Sequence, residues 1–522
     1  GALTDSGAIT IAGLAQVVST GQSVTLGDST SANFGSLDFA GAAVSIKEGS
    51  SMELAASEAT GGLSLEATGA ITQSGAIDAD STATFIAGAN AITLSHASND
   101  FTGAVSLSNS GVNNVTIDDS NNLEFGTISI ATGDLNVDVA GTITQSAAIS
   151  VGGNSVFDNA DGSDAPITLS NVSNVFTETV TFITDTGSDV SIVDTTLFDL
   201  VALSANNLTV TAEGAISDSG VLDLGGTASF TTTGGNGDVV LSQASDIDGA
   251  LSVTTHGTGT TSVTNFTNGI NLGTISTSAL TVGSGGAITD SGIISVSGAT
   301  ILDNTAGSNA AILLDSESTY TGNVTFTTDT GSDVTITDNG AFAIQSGLHV
   351  NNLSITSTGS VTDLGDIDID GTLTVSAASQ TIDLSGTGND LTGPVTLTGA
   401  AVTLVDTTAT SIAGITATEA LSVTSSGAIT QSGAIDADST AAFTAGANAI
   451  TLTNTSNDFS GAVSLSNSGS NDVALTDANA LDLGSVAVGQ NLTVTTGGAL
   501  TDSGAITIAG LAQVVSTGQS VT

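Results

Sequence analysis

The chain has 522 residues and no cysteine, and its 51 acidic residues face a single base, Lys47, for a formal net charge of −50. That balance repels nucleic acid and anionic membrane surfaces and favours divalent cations, a salty medium or a basic partner. Mean hydropathy is +0.34, yet no run approaches the ~18–20 apolar residues of a spanning helix, so no helical membrane span is expected.

From the N-terminus onward the sequence is repetitive on three scales. Gly1–Thr25 recurs letter for letter as Gly498–Thr522, an offset of 497. Residues 1–497 therefore read as one full tandem unit, and 498–522 as the start of the next identical unit. Inside the unit an anchor, Gly-x-(Ile/Leu/Val)-(Thr/Ser)-x-(Ser/Leu), opens sub-repeats at 1, 69, 141, 214, 286, 359 and 427, and returns at 498. Seven sub-repeats of about 71 residues result, a period that signals a solenoid or an array. Some copies diverged little: Gly69–Gly111 and Gly427–Gly469 agree at 37 of 43 positions.

Each sub-repeat contains alternating apolar/polar runs separated by Gly, Asn, Asp and Ser. Such alternation predicts strands, and the residues between them predict turns. Three segments per 71 residues give about 24 residues each, one coil of a parallel β-solenoid, hence about 21 coils per 497-residue unit. With strands ~4.8 Å apart the unit would span roughly 100 Å, with one net negative charge about every 2 Å; duplex DNA carries one per ~1.7 Å. The alternative fold is an array of antiparallel sandwiches of ~100 residues, against which the short segment period speaks. Proline is confined to Pro166 and Pro394, as expected where most strands have a neighbour on both sides.

Candidate sites are acidic. Thr184–Asp189 (TDTGSD) and Thr328–Asp333 (TDTGSD) repeat one turn, and their Asp185, Asp189, Asp329 and Asp333 could offer oxygens to Ca²⁺. In TDLGDIDID, Asp366, Asp368 and Asp370 alternate and so share one strand face, where a cation or bulk water is needed. Asp118-Asp119 is a similar pair. The competing reading of all of these is a solvated polar corner. Asn-Asp-(Phe/Leu) at Asn99, Asn389 and Asn457 reads as a turn leading into a core residue. His96, His256 and His349 occupy unrelated places, with neither cysteine nor a paired-histidine spacing, which speaks against a transition-metal site. No cofactor is required on this reading; Ca²⁺ is the one ion the acidic corners suggest.

Stretches such as GAITQSGAIDADSTATFIAGANAITLSHASNDFTGAVSLSNSG resemble the repeats of giant filamentous-haemagglutinin-like exoproteins and related autotransporter-type adhesins. The resemblance covers essentially the whole chain. It implies a right-handed parallel β-helix, export to the cell surface, and a role in adhesion, aggregation or matrix. The expected function is a structural or adhesive extracellular element forming a rod, filament or sheath. Its expected partners are itself, by axial continuation and lateral bundling, divalent cations and a surface or matrix polysaccharide. No catalysis is expected: lyase chemistry on acidic sugars needs basic groups, and the chain has one Lys and no Arg. An ice-binding face would need Thr-x-Thr in every coil, and the pairs Thr325/Thr327, Thr335/Thr337 and Thr493/Thr495 do not recur so regularly.

Overall fold

A run in which every second residue is apolar can bury those residues on one side only if it is extended. The computed structural model describes residues 1–28, 32–517 and 521. Among these the chain forms short strands and no helix. The chain divides into two compact units, Gly1–Phe266 and Thr267–Thr522, and each is a parallel β-solenoid.

In the first unit Val24, Val44, Leu63, Ala83 and Val105 stand one above another as in-register partners. In the second, Ile429, Ile450, Val473, Leu492 and Ala512 do the same. The ladders are parallel, not the hairpin pairings of an antiparallel sandwich, so the alternative fold is excluded.

The coil is shorter than the sequence period suggested. Successive partners lie 20, 19, 20 and 22 residues apart in the first series and 21, 23, 19 and 20 in the second. The described residues make about 26 turns, more than coils of 24 residues would allow. A sub-repeat therefore holds three and a half coils, not three. Counting coils upward from Ile71 gives Ile92, Val115, Leu135 and Ser155, and the next anchor isoleucine, Ile143, falls between the last two. It belongs to another column, with Leu123 below and Ile167 above. Corners are tighter than the alternating pattern implies, and some coils drop one. The strand Leu123–Ile130 runs unbroken below two short strands, Ile143–Gln145 and Ile149–Val151.

Inward residues form a thin apolar core. Leu65, Phe85, Ile92, Leu94, Val105 and Ile117 are among many with no more than 1% exposure. Phenylalanines from neighbouring strands meet in this core: Phe85 lies edge-on to Phe101 at 6.0 Å, and Phe443 to Phe459 at 6.1 Å. Such pairs contribute about 0.5–1.5 kcal/mol beyond burial.

Corners are closed by side-chain amides. Asn457 is fully buried. Its Oδ1 accepts from Ile435 N–H at 3.0 Å and Gln431 Nε2 at 2.8 Å. Its Nδ2 donates to the Leu452 and Thr476 carbonyls and to Gln431 Oε1. Asn99 repeats the arrangement with Ile77, Leu94, Asp118 and Gln73. The glutamines are the fifth residue of the anchor. Where that residue is aspartate, its carboxylate accepts backbone N–H groups of the coil above, as Asp218 does from Ser242 and Gln243. The anchor thus marks the place where one coil grips the next.

Asn457→Ala would remove the bonds that its amide makes to the Ile435 N–H and to the Leu452 and Thr476 carbonyls. Removing one partner of a buried hydrogen bond costs about 1–3 kcal/mol, so the mutant should unfold at least ~2 kcal/mol more easily in urea. Asn448, whose Nδ2 makes one exposed bond to the Ser426 carbonyl, is the control; its alanine variant should lose under ~1 kcal/mol. Equal losses in the two variants would contradict the amide-closed corner.

Candidate functional site

The two TDTGSD turns are built into the coil stack. Asp189 Oδ1 accepts from Asn206 Nδ2, Asn207 N–H and Asn207 Nδ2 at 2.8–3.1 Å. Asp333 Oδ1 does the same with Asn351 and Asn352. The Asp185 and Asp329 carbonyls accept the N–H of Ser188 and Ser332, and Asp329 Oδ2 accepts the Asn309 N–H at 3.2 Å. Glycine at the centre of each turn leaves room for a side chain of the coil below. A Cβ on Gly187 would lie 1.8 Å from Asp164 Oδ1, and one on Gly331 2.3 Å from Asn309 Oδ1. Asp118 and Asp119, neighbours in one strand, point to opposite faces. Asp118 stands outward in a column with Asp138 and Asp158, whereas Asp119 is buried.

Outward columns of like charge recur. Glu58, Asp78 and Asp100 are in-register partners on successive coils. So are Thr416, Asp436 and Asp458, Ser204, Asp223 and Asp246, and His349, Asp368 and Asp390. Desolvation, then the neighbouring carboxylates Asp80, Asp100 and Glu58, raise the Asp78 carboxyl above the ordinary range. Asp436 is raised in the same way, by burial and then by Asp438 and Asp458.

One column differs. His349 Nδ1 lies 3.4 Å from Asp368 Oδ2, and Nε2 lies 3.3 Å from Asp370 Oδ2. Among the described residues, His349, Asp368 and Asp370 are the group of three metal-ligating side chains whose ligand atoms lie within 4.8 Å of one another. Burial raises the Asp368 carboxyl, His349 lowers it, and Asp390 and Asp370 raise it again. Of the nine aspartates singled out in the sequence, Asp368 and Asp370 are thus brought together with a further ligand. Asp366 turns to the coil above, where its Oδ1 accepts the Gly388 N–H at 2.9 Å. The sequence did not reveal His349, because it precedes its partners by 19 and 21 residues. A coil length near 20 would have placed it beside them.

A second carboxylate set is buried at the corners. Asp194 accepts the Phe176 N–H, Asp338 the Tyr320 N–H, Asp477 the Phe459 N–H and Glu48 the Phe34 N–H. Asp119 takes the equivalent place above Phe101. The remaining oxygen of Glu48, Asp119, Asp338 and Asp477 is buried without a hydrogen-bond partner. Burial raises all five carboxyls, Asp119 to about 7. Lys47, the one base, pairs with Glu66 on the next coil at 2.8 Å, in the open.

Parallel coils that repeat their corners and carry their charge outward define a repeat β-solenoid protein. Seven segments, 41–108, 112–183, 187–254, 258–327, 331–398, 399–466 and 470–522, match a family described as repeats of unknown function (DUF5649), and the chain belongs to that family. No curated protein and no solved structure matches it.

The corner carboxylates give stability a definite pH dependence. A carboxyl whose folded value is raised binds its proton more tightly in the folded state. Its contribution is fully present below the unfolded value, near 4, and is lost as pH rises through the folded value, about 7 for Asp119. The protein should therefore be more stable at pH 5 than at pH 8. Asp119→Asn, neutral and of similar shape, should gain about 1–2 kcal/mol at pH 8 and little at pH 5. Urea melts of both proteins at both pH values check this; a wild type more stable at pH 8 contradicts it.

Proposed function

We propose that this chain is a stretch of an extracellular structural or adhesive protein of the filamentous-haemagglutinin or autotransporter type. On this reading it acts as a rod, filament or sheath element at the cell surface, and its length is its function. The observation that carries the reading is the sameness of the coils. The corner amides and apolar columns recur with little change, and variation is concentrated on the outward positions. The letter-for-letter return of Gly1–Thr25 at Gly498–Thr522 supports growth by duplication, which alters length and little else. The reading is non-catalytic, with the chain's own copies, divalent cations and a surface polysaccharide as partners.

Net charge bears on assembly. Fifty net charges over about 26 turns are about two per turn, or roughly one per 2.5 Å at a ~4.8 Å rise. At low ionic strength, where the screening length is ~30 Å at 0.01 M, parallel copies repel strongly. Lateral contact would then require divalent ions or high salt. The acidic corners at Asp185/Asp189 and Asp329/Asp333 and the run of Asp366, Asp368 and Asp370 along one coil are the places on this reading where Ca²⁺ would bridge.

Imaging of the native assembly tests the role: filaments, bundles or layers at the cell surface support it, and a dispersed intracellular protein overturns it. The cation prediction is read separately, by adding a chelator in low salt while following light scattering and far-UV circular dichroism. Scattering should fall while the β signal persists. Scattering that is indifferent to chelator and to salt would reduce the acidity to a solubility device.

A further inference from the structure

The recurrent outward column has a fixed plan. Its first position is Glu58, Ser204, Thr416 or His349, and its second is Asp78, Asp223, Asp436 or Asp368. Two residues beyond the second stand Asp80, Gly225, Asp438 and Asp370, and the next coil contributes Asp100, Asp246, Asp458 and Asp390. The set at Thr416 is therefore an internal comparator. It keeps the three aspartates of the His349 set and lacks only the imidazole.

Imidazole changes which ion such a place prefers. Ca²⁺ takes six to eight oxygens and gains little from a ring nitrogen. A borderline ion such as Zn²⁺ takes nitrogen and carboxylate oxygen together at about 2.0–2.2 Å, in four-coordinate sites that leave room for water. Ligand atoms sharing such an ion sit about 3–3.5 Å apart. One imidazole gives an ion one nitrogen: His349 Nε2 lies 3.3 Å from Asp370 Oδ2, and one ligand atom from each of His349, Asp368 and Asp370 falls within 4.8 Å of the other two. The other nearby carboxylates are held elsewhere: Asp390 Oδ1 accepts from Thr408 Oγ1 at 3.1 Å, and Asp366 Oδ1 accepts from Gly388. They add negative field and leave coordination to the trio. The strands beneath fix the geometry, since Leu348, Val350, Ile367 and Ile369 on either side are buried at 6% exposure or less.

We propose that His349, Asp368 and Asp370 form a site for a single divalent transition-metal ion of the Zn²⁺ class, distinct from the diffuse binding of Ca²⁺ by the acidic surface. One ligand atom comes from each side chain, and water completes the shell. The site spans two adjacent coils, Leu348–Val350 and Ile367–Ile369, so the ion staples one coil to the next at a place where the sheet has only three strands.

The test is titration of the full 522-residue chain with Zn²⁺ by calorimetry in millimolar Ca²⁺, which occupies the general acidic surface. Wild type should bind one equivalent. His349→Thr, which recreates the comparator set, should weaken that event at least tenfold, and Asp370→Asn should do likewise. His96→Asn, which copies Asn454 of the related sub-repeat, should leave it unchanged. Co²⁺ supplies a second readout through its visible absorption, expected in wild type and absent in His349→Thr. No stoichiometric event above the Ca²⁺ background, or equal binding by His349→Thr, would overturn the site and leave the histidine as an exposed ion pair with its two aspartates.

Discussion

Everything in this protein depends on parallel, in-register stacking of one coil on the next. The backbone ladder holds neighbouring strands ~4.8 Å apart, so a side chain's nearest neighbours are those at the same place one coil below and one above. Like is set upon like. For Val24, Val44 and Leu63 the rule builds a continuous apolar column. For Asp118, Asp138 and Asp158 it builds a column of like charge. Core and acidic surface are two results of one geometry.

Half-integral packing of the repeat follows from the same ladder. Three and a half coils per sub-repeat send each anchor to a different column from the previous one, and two sub-repeats restore it. In the first unit the strand of Ile216 rejoins the column that began at Ile71. In the second, the strand of Ile429 rejoins that of Ile288. Near-identical sequence therefore has to serve against different neighbours. That is feasible because the side chains that fasten coils, Gln73 or Asp218 at the anchor and Asn99 or Asn457 at the corner, bond chiefly to backbone, which is the same everywhere.

Burying carboxylates at corners is costly, and the fold carries that cost where it does structural work. Each corner acid receives a backbone N–H that would otherwise be orphaned as the chain turns inward. In two corners a threonine hydroxyl also satisfies the second oxygen, Thr196 for Asp194 and Thr410 for Asp406. In others that oxygen is left alone. Burial holds these groups above the ordinary carboxyl range, and a proton there gives the lone oxygen a hydrogen bond to donate.

Alternation of Val, Ile and Leu with Ser and Thr was enough to determine strands, and the repeat was enough to determine a solenoid. Each of these is a local or compositional property, unaffected by what lies one coil away. Coil length was not legible, because alternation says where strands run and not how sharply they turn; buried amides such as Asn457 and the unbroken strand Leu123–Ile130 decide that. Nor was the meeting of His349 with Asp368 and Asp370 legible, since a contact between coils depends on register, and an error of four residues per coil moves every side chain to a different partner. The sequence by itself determined what kind of surface each strand presents. Only the stacked structure decided which residues share a column, because that is set by the length of chain consumed in each turn.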